Sequence, residues 1–157
     1  AGAGRPYAEI MTASHNEHHG RGAMRTRSAL VDHLDGETAS LAGGVLESGE
    51  AAMLQVRAVG AAVNDLDPAA TAYAHRTKNF SLTTVAGRAA GTGLDDAVDR
   101  LSSGGLYLSF ESHPDETALT RAFPGETLRR LRRIKAAYDP DNLFRHNFPI
   151  TPARDSD

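Results

Sequence analysis

Cysteine is absent from this 157-residue chain, which excludes disulfides and any thiolate metal site. No apolar run approaches the roughly 18–20 residues needed to cross a bilayer, and no signal peptide is visible. Basic residues give no surplus: 17 Lys and Arg stand against 20 Asp and Glu, a formal net charge of −3. Nothing in that balance points to nucleic acid or a membrane as a partner. Internal repeats and low-complexity tracts are also missing. An initiating methionine is lacking, since Ala1 stands first. The expectation is a trimmed, processed or subcloned piece of a longer protein, soluble and cytoplasmic rather than secreted. What remains suits one domain. Hydrophobic residues make up 40% and charged residues 24%, and a chain of this size can bury roughly two thirds of its unfolded surface.

Residues 1–27 are rich in Gly, His and Arg with little periodicity, and read as an irregular lead-in with a short strand at Tyr7–Met11. Asp35 is a good N-cap for a helix running to about Glu47 and closed by Gly49. Between Ala52 and Val59, Leu54, Val56 and Ala58 alternate with Gln55 and Arg57, which predicts a half-buried strand that Gly60–Val63 continues or bulges. Asp67-Pro68 marks a turn. Thr71–His75 and Phe80–Val85 read as further strands, and Leu94–Leu101 as a helix. Gly105–Glu111 reads as a strand with Leu106, Leu108 and Phe110 on one face and Tyr107, Ser109 and Glu111 on the other. Asp115–Ala122 predicts a short helix and Phe123-Pro124-Gly125 a turn. Hairpin-length links mixed with helices indicate an α+β fold, a largely antiparallel sheet flanked by helices. The Gly43-Gly44 and Gly104-Gly105 pairs do not form a dinucleotide-binding fingerprint.

Few groups stand out as reactive. His15, Glu17 and His19 have metal-ligand chemistry, but they lack the order of known zinc motifs and a downstream partner, so they are expected in a solvated loop with no metal. Arg129, Arg130, Arg132, Arg133 and Lys135 form a basic run without interleaved aromatics. It reads as the solvent side of an amphipathic helix, with cations opposing the dipole at its C-terminus.

The most specific feature is that helix with its stop: Gly125-Glu-Thr-Leu-Arg-Arg-Leu-Arg-Arg-Ile-Lys-Ala-Ala-Tyr-Asp-Pro-Asp-Asn-Leu-Phe-Arg-His-Asn147. Leu128, Leu131, Ile134 and Tyr138 make one apolar stripe, and Asp139-Pro140 ends the helix because proline brings no amide hydrogen. The succession resembles the C-terminal signature of berberine-bridge-enzyme-like FAD-linked oxidoreductases, within the vanillyl-alcohol-oxidase-type flavoproteins. Thr71-Ala-Tyr-Ala-His-Arg76 followed by Asn79-Phe80 resembles a second motif of that family. The resemblance is specific over Tyr107–Ile150, good over Thr71–Val85 and plausible over Ser28–Ala62.

Such a resemblance implies a division into an irregular lead-in (1–27), a substrate-domain segment (28–122) and a berberine-bridge-type motif with its tail (123–157). It implies an FAD cofactor held mainly by a missing N-terminal portion or second chain, with this part forming a pocket wall over the flavin. The absence of cysteine excludes a cysteinyl flavin link within this piece. His75, Tyr107 and Phe110 are expected at the substrate pocket, and Ser109 and Asn147 near the cofactor. His75 and Arg76 have turn-tying roles as their alternative, and Asn147 a turn-stabilising one. Phe110 and Ser109 occupy places where the family has Tyr and Asn, and Phe110 cannot take a proton. Strict strand alternation would put Tyr107 on the opposite face from Phe110, so no catalytic base is assigned. A half-sheet of this kind is expected to expose an edge and an apolar face, and to be stable only with a complementary chain, as a homo-oligomer or in a nicked flavoprotein. Three functions follow: oxidation of a small organic or natural-product substrate, cyclisation or binding on the same scaffold without net redox chemistry, or a nonenzymatic interaction module or inactive remnant.

Overall fold

In a computed structural model, residues 24–87, 92–112, 115–146 and 148–154 are described. Three antiparallel strands form the sheet: β1 (Met24–Val31), β2 (Met53–Ala58) and β3 (Phe80–Gly87), in the order β1-β3-β2. Between them come α1 (Gly36–Glu47), α2 (Thr92–Leu101), α3 (Glu116–Ala122) and α4 (Glu126–Tyr138), with single 3₁₀ turns at Ala61–Val63 and Leu108–Phe110. The α+β expectation holds.

Local chemistry explains where the elements begin and end. Asp35 caps α1 as expected, its carboxylate accepting from the Thr38 amide at 2.8 Å. Gly49 follows the helix with φ +74°, a conformation that costs glycine little. Asp115 caps α3 in the same way, accepting from the Ala118 amide at 2.6 Å. At Asp67 the carboxylate accepts from the Ala69 amide at 2.7 Å and its carbonyl from the Ala70 amide, closing the predicted turn.

The sheet has two unlike faces. Register pairs Ala29 with Leu82, Leu82 with Val56, and Val31 with Phe80. Ala29, Val31, Leu82, Ala86 and Leu54 therefore share the face that α1 and α2 cover with Val45, Leu94, Val98 and Leu101. Burying each large side chain there contributes about 1.5–3 kcal/mol. At the start of β1 that face turns charged. Arg25 and Arg27 reach Asp95 on α2, and Arg27 also reaches Asp99 at 3.7 Å and the buried Glu111 at 3.1 Å. Burial opposes the Arg27 charge, but Glu111, Asp95 and Asp99 outweigh it and hold its pKa above the ordinary value.

Several sequence expectations need correction. β1 begins at Met24, inside the segment expected as an irregular lead-in, and it is a strand that the pattern did not announce. Its last four residues are all buried, so no alternation marks them. Val56 was placed on the buried side of its strand but is 46% exposed, because α1 and α2 do not reach that far across an edge strand. Gly60–Val63 neither continues the strand nor bulges but turns into 3₁₀.

Thr71–His75 is irregular rather than a strand. The Thr71 hydroxyl accepts from the Tyr73 amide and from the Arg76 guanidinium, so it organises a side-chain turn. Gly105–Glu111 also fails to form a strand, although it runs where one would lie. The Ser103 amide donates to the Leu30 carbonyl and the Ser112 amide to that of Thr26. Between those points the segment spends about twice as many residues as β1 does, so a regular ladder is out of reach and the excess folds into the Leu108–Phe110 turn. The strand expected at Tyr7–Met11 lies outside the described residues.

Candidate functional site

Alternation places Ser28 and Leu30 of β1, Ser81 and Thr83 of β3, and Gln55 and Arg57 of β2 on the face away from α1 and α2. This face is mostly small and polar. Ser28 is satisfied by the Tyr107 amide, which donates to its hydroxyl at 3.2 Å. The buried hydroxyls of Ser81 and Thr83 and the buried Nη1 of Arg57 have no hydrogen-bond partner among the described residues. Orphaned polar atoms in such a row are costly in a finished core. Here they mark a buried face whose polar groups the described residues leave unsatisfied.

A row of rings borders that face. His75 meets Tyr73 edge-on at 5.9 Å between centroids, and Tyr73 meets Tyr107 edge-on at 6.1 Å. Tyr107 lies against Phe110 at 5.6 Å, and the Arg57 guanidinium carbon sits 3.8 Å from the centre of the Phe110 ring. A cleft of about 190 Å³ opens beside the row, between Tyr73, Tyr107, Ser109 and Phe123. The contact between Tyr107 and Phe110 corrects the argument from strand alternation. A 3₁₀ turn has three residues per turn and brings positions i and i+3 to the same side, so the phenol stands beside Phe110 rather than behind it.

His75 and Arg76 hold the frame of this row. His75 Nε2 donates to the Ala122 carbonyl at 3.1 Å, and burial, the largest influence, lowers the imidazole pKa. The ring packs directly on Gly105. A Cβ added there would fall 2.5 Å from His75 Cε1, and Gly105 has φ +83°. Arg76 is buried. It donates to the Val63 carbonyl at 2.8 Å and the Thr71 hydroxyl at 2.6 Å, tying the Ala61–Val63 turn to the Thr71 loop. Tyr73 has its hydroxyl buried without a partner, and burial raises its pKa.

Ser109 is exposed on the Leu108–Phe110 turn. Asn147 and the His15, Glu17, His19 group lie outside the described residues. Among the described residues no group of acidic and histidine side chains could hold a metal ion. Gln55, Arg57, Ser81 and Thr83 were not foreseen as site residues. The signal available was the polar half of the β2 alternation, which reads equally well as solvent-facing.

The signature at the end of the chain has a physical role of its own. Lys135 pairs with the Asp139 carboxylate and donates to the Phe144 carbonyl at 2.6 Å. The same carboxylate accepts from the Leu143 amide at 2.7 Å and the Phe144 amide at 3.0 Å, and the hydrogen bond from Lys135 is the main cause of its lowered pKa. Asn142 takes φ +51°, which asparagine tolerates better than most residues. The clamp points Leu143 and Phe144 outward. Along α4 the apolar stripe starts buried at Leu128 but ends with Ile134 at 45% and Tyr138 at 86% exposure, beside Phe144 at 83%. The arginines of this helix are engaged locally: Arg132 pairs with Glu116, Arg129 and Arg133 with Glu126, and Arg130 donates to the Ala69 carbonyl.

Comparison with known proteins places this architecture. Residues 111–151 match the family described as berberine and berberine like. An uncharacterized FAD-linked oxidoreductase of Bacillus subtilis (strain 168) is 50% identical over 36 residues, 23% of this chain and 8% of that protein. Among solved structures, glucooligosaccharide oxidase from Acremonium strictum superposes with a TM-score of 0.70 at 18% identity, covering 94% of this chain and 38% of that one. A chitooligosaccharide oxidase gives a TM-score of 0.60 at 22% identity, covering 85% and 33%. The chain thus spans about a third of the length of these solved structures. Residues 111–151 thus carry the signature described as berberine and berberine like, and the chain resembles these flavoprotein oxidases in fold over about a third of their length.

Proposed function

We propose that this chain forms the pocket wall over the flavin in an FAD-dependent oxidoreductase that oxidises a small organic or natural-product substrate. The observation that carries this reading is the polar face of the sheet away from α1 and α2. It holds orphaned polar atoms at Arg57, Ser81 and Thr83 and is bordered by Tyr73, Tyr107 and Phe110. A flat ring with a polar rim suits such a face: the hydroxyl and guanidinium groups meet the rim while the aromatic row lies alongside. FAD, when bound, supplies the hydride acceptor.

The residues of this chain then divide the remaining work. Gln55 and Arg57 orient the polar part of the substrate, and Tyr107 with Phe110 excludes water from the reacting carbon. Tyr107 brings a hydroxyl beside Phe110, which has no proton to exchange. His75 supports this segment from behind through Gly105, and Ser109 and Asn147 are assigned to the cofactor side.

Binding of the dinucleotide itself belongs to a complementary portion or chain. The exposed stripe of Ile134, Tyr138, Leu143 and Phe144 supports a docking role toward it. Native mass spectrometry of the isolated material is expected to show FAD and a flavin-binding polypeptide accompanying this chain. Tight binding of FAD by the 157 residues alone would overturn the division.

A second reading, cyclisation or binding without net redox chemistry, is favoured by Phe110 in the place of a titratable residue. Anaerobic substrate addition separates the two. Bleaching of the flavin absorbance, with recovery on admitting oxygen, marks the oxidase, and an unchanged spectrum with product formed marks the cyclase.

A further inference from the structure

Arg57 is the exception among the arginines near the sheet. Arg25, Arg27 and Arg121 each face Asp95, Asp99 or Glu111. The Arg57 guanidinium has no carboxylate and no hydrogen-bond acceptor among the described residues, although its Nη1 is buried. It lies on the face away from α1 and α2, paired across the strands with Ser81, whose buried hydroxyl is also unpartnered. Its one close partner is the Phe110 ring, with the guanidinium carbon 3.8 Å from the ring centre.

Stacking fixes the plane of a guanidinium without consuming its N–H groups, so the edge away from the buried Nη1 stays free to meet a carboxylate. A charge left half-buried without a counter-ion is unfavourable, and an incoming anion relieves that cost. The groups next to it are aromatic: Tyr107 lies 5.6 Å from Phe110, and Tyr73 lies 6.1 Å from Tyr107. The recognition element is therefore one fixed cation at the end of an apolar, aromatic wall.

We propose that Arg57 is an anion-recognising residue of the substrate pocket, and that the substrate carries a carboxylate on an aromatic or otherwise apolar body. This inference deepens the pocket-wall reading and rests on it. In its terms the carboxylate docks on the Arg57 fork beside Ser81, and the body of the substrate runs along Phe110, Tyr107 and Tyr73.

The test uses the flavin-containing holoenzyme, with benzoate as the anionic probe and benzamide as its neutral counterpart. Binding is followed by calorimetry and by perturbation of the flavin spectrum. Benzoate is expected to bind about tenfold or more tightly than benzamide, with the preference shrinking as salt is raised. In Arg57→Gln the two affinities are expected to converge, chiefly through loss of benzoate affinity, while flavin content stays as in the parent. Arg57→Lys is expected to keep part of the preference, since it keeps the charge and loses the fork.

Equal affinities in the parent, or a preference that survives in Arg57→Gln, overturns the proposal. If Arg57→Gln does not fold, the parent's preference and its partial retention in Arg57→Lys decide the matter. A preparation without flavin shows instead that the pocket-wall reading has failed, before any titration begins.

Discussion

Leu82 and Thr83 are neighbours in the chain and are both almost completely buried, yet they belong to opposite kinds of surface. Leu82 points into the layer that α1 and α2 close over the sheet, where apolar side chains interlock and the arginines at the margin are paired. Thr83 points to the other face, where its hydroxyl has no partner and Ser81 and Arg57 share that condition. One face is complete within this chain and holds the fold together. The opposite face is buried too, but it leaves two hydroxyls and the Arg57 Nη1 without partners. Residual polar demand separates the two faces.

The sharpest way to break this comparison is to truncate on the closed side. Leu82→Ala should cost about 2–5 kcal/mol, because a fully enclosed side chain leaves a cavity between the sheet and its helices. Urea unfolding measures it, and a loss below 1 kcal/mol would show that the helix-covered layer is not the main source of stability.

Gly105→Ala comes next, at about 1–3 kcal/mol. It places a Cβ on the His75 ring and forces a left-handed backbone on alanine. It should also disturb the Tyr73–Tyr107 contact, visible as a change in tyrosine fluorescence.

A smaller effect is expected from pH through His75. Burial holds its folded pKa below the unfolded value of about 6.5, so the unfolded chain binds more protons in the window between them. Its contribution to stability is therefore complete above about pH 6.5 and is lost as pH falls toward the folded pKa. Thermal unfolding between pH 7.5 and 5.5 should show a shallower decline in His75→Gln than in the parent, and parallel curves would contradict the assignment.

Thr83→Val is the matched partner of the first prediction and should have the smallest effect, within about 0.5 kcal/mol of the parent or slightly stabilising. It replaces a buried hydroxyl that has no partner with a methyl of the same shape. A loss comparable to that of Leu82→Ala would mean that the polar face is as structurally committed as the helix-covered one.

Much of the frame was legible in the residue order. Asp35 and Asp115 announce helix starts through carboxylates that can accept the first free amides, and both do so. Phe80–Gly87 announces a strand by its β-branched and aromatic content, and Lys135 to Phe144 announces a helix with its stop. These are short-range matters, settled by groups within a few residues of one another, so local chemistry suffices.

The site was not legible in the same way. Whether Gln55 and Arg57 face water or a pocket depends on which side of the sheet the helices cover. Whether Tyr107 stands beside Phe110 depends on how many residues must fit along β1 between Thr26 and Leu30. The sequence by itself determined the helix boundaries, the terminal clamp and the family signature. The tertiary structure decided which polar groups went unsatisfied and which rings met. Burial and pairing arise from the packing of segments far apart in the chain, and no local pattern encodes which of them will meet.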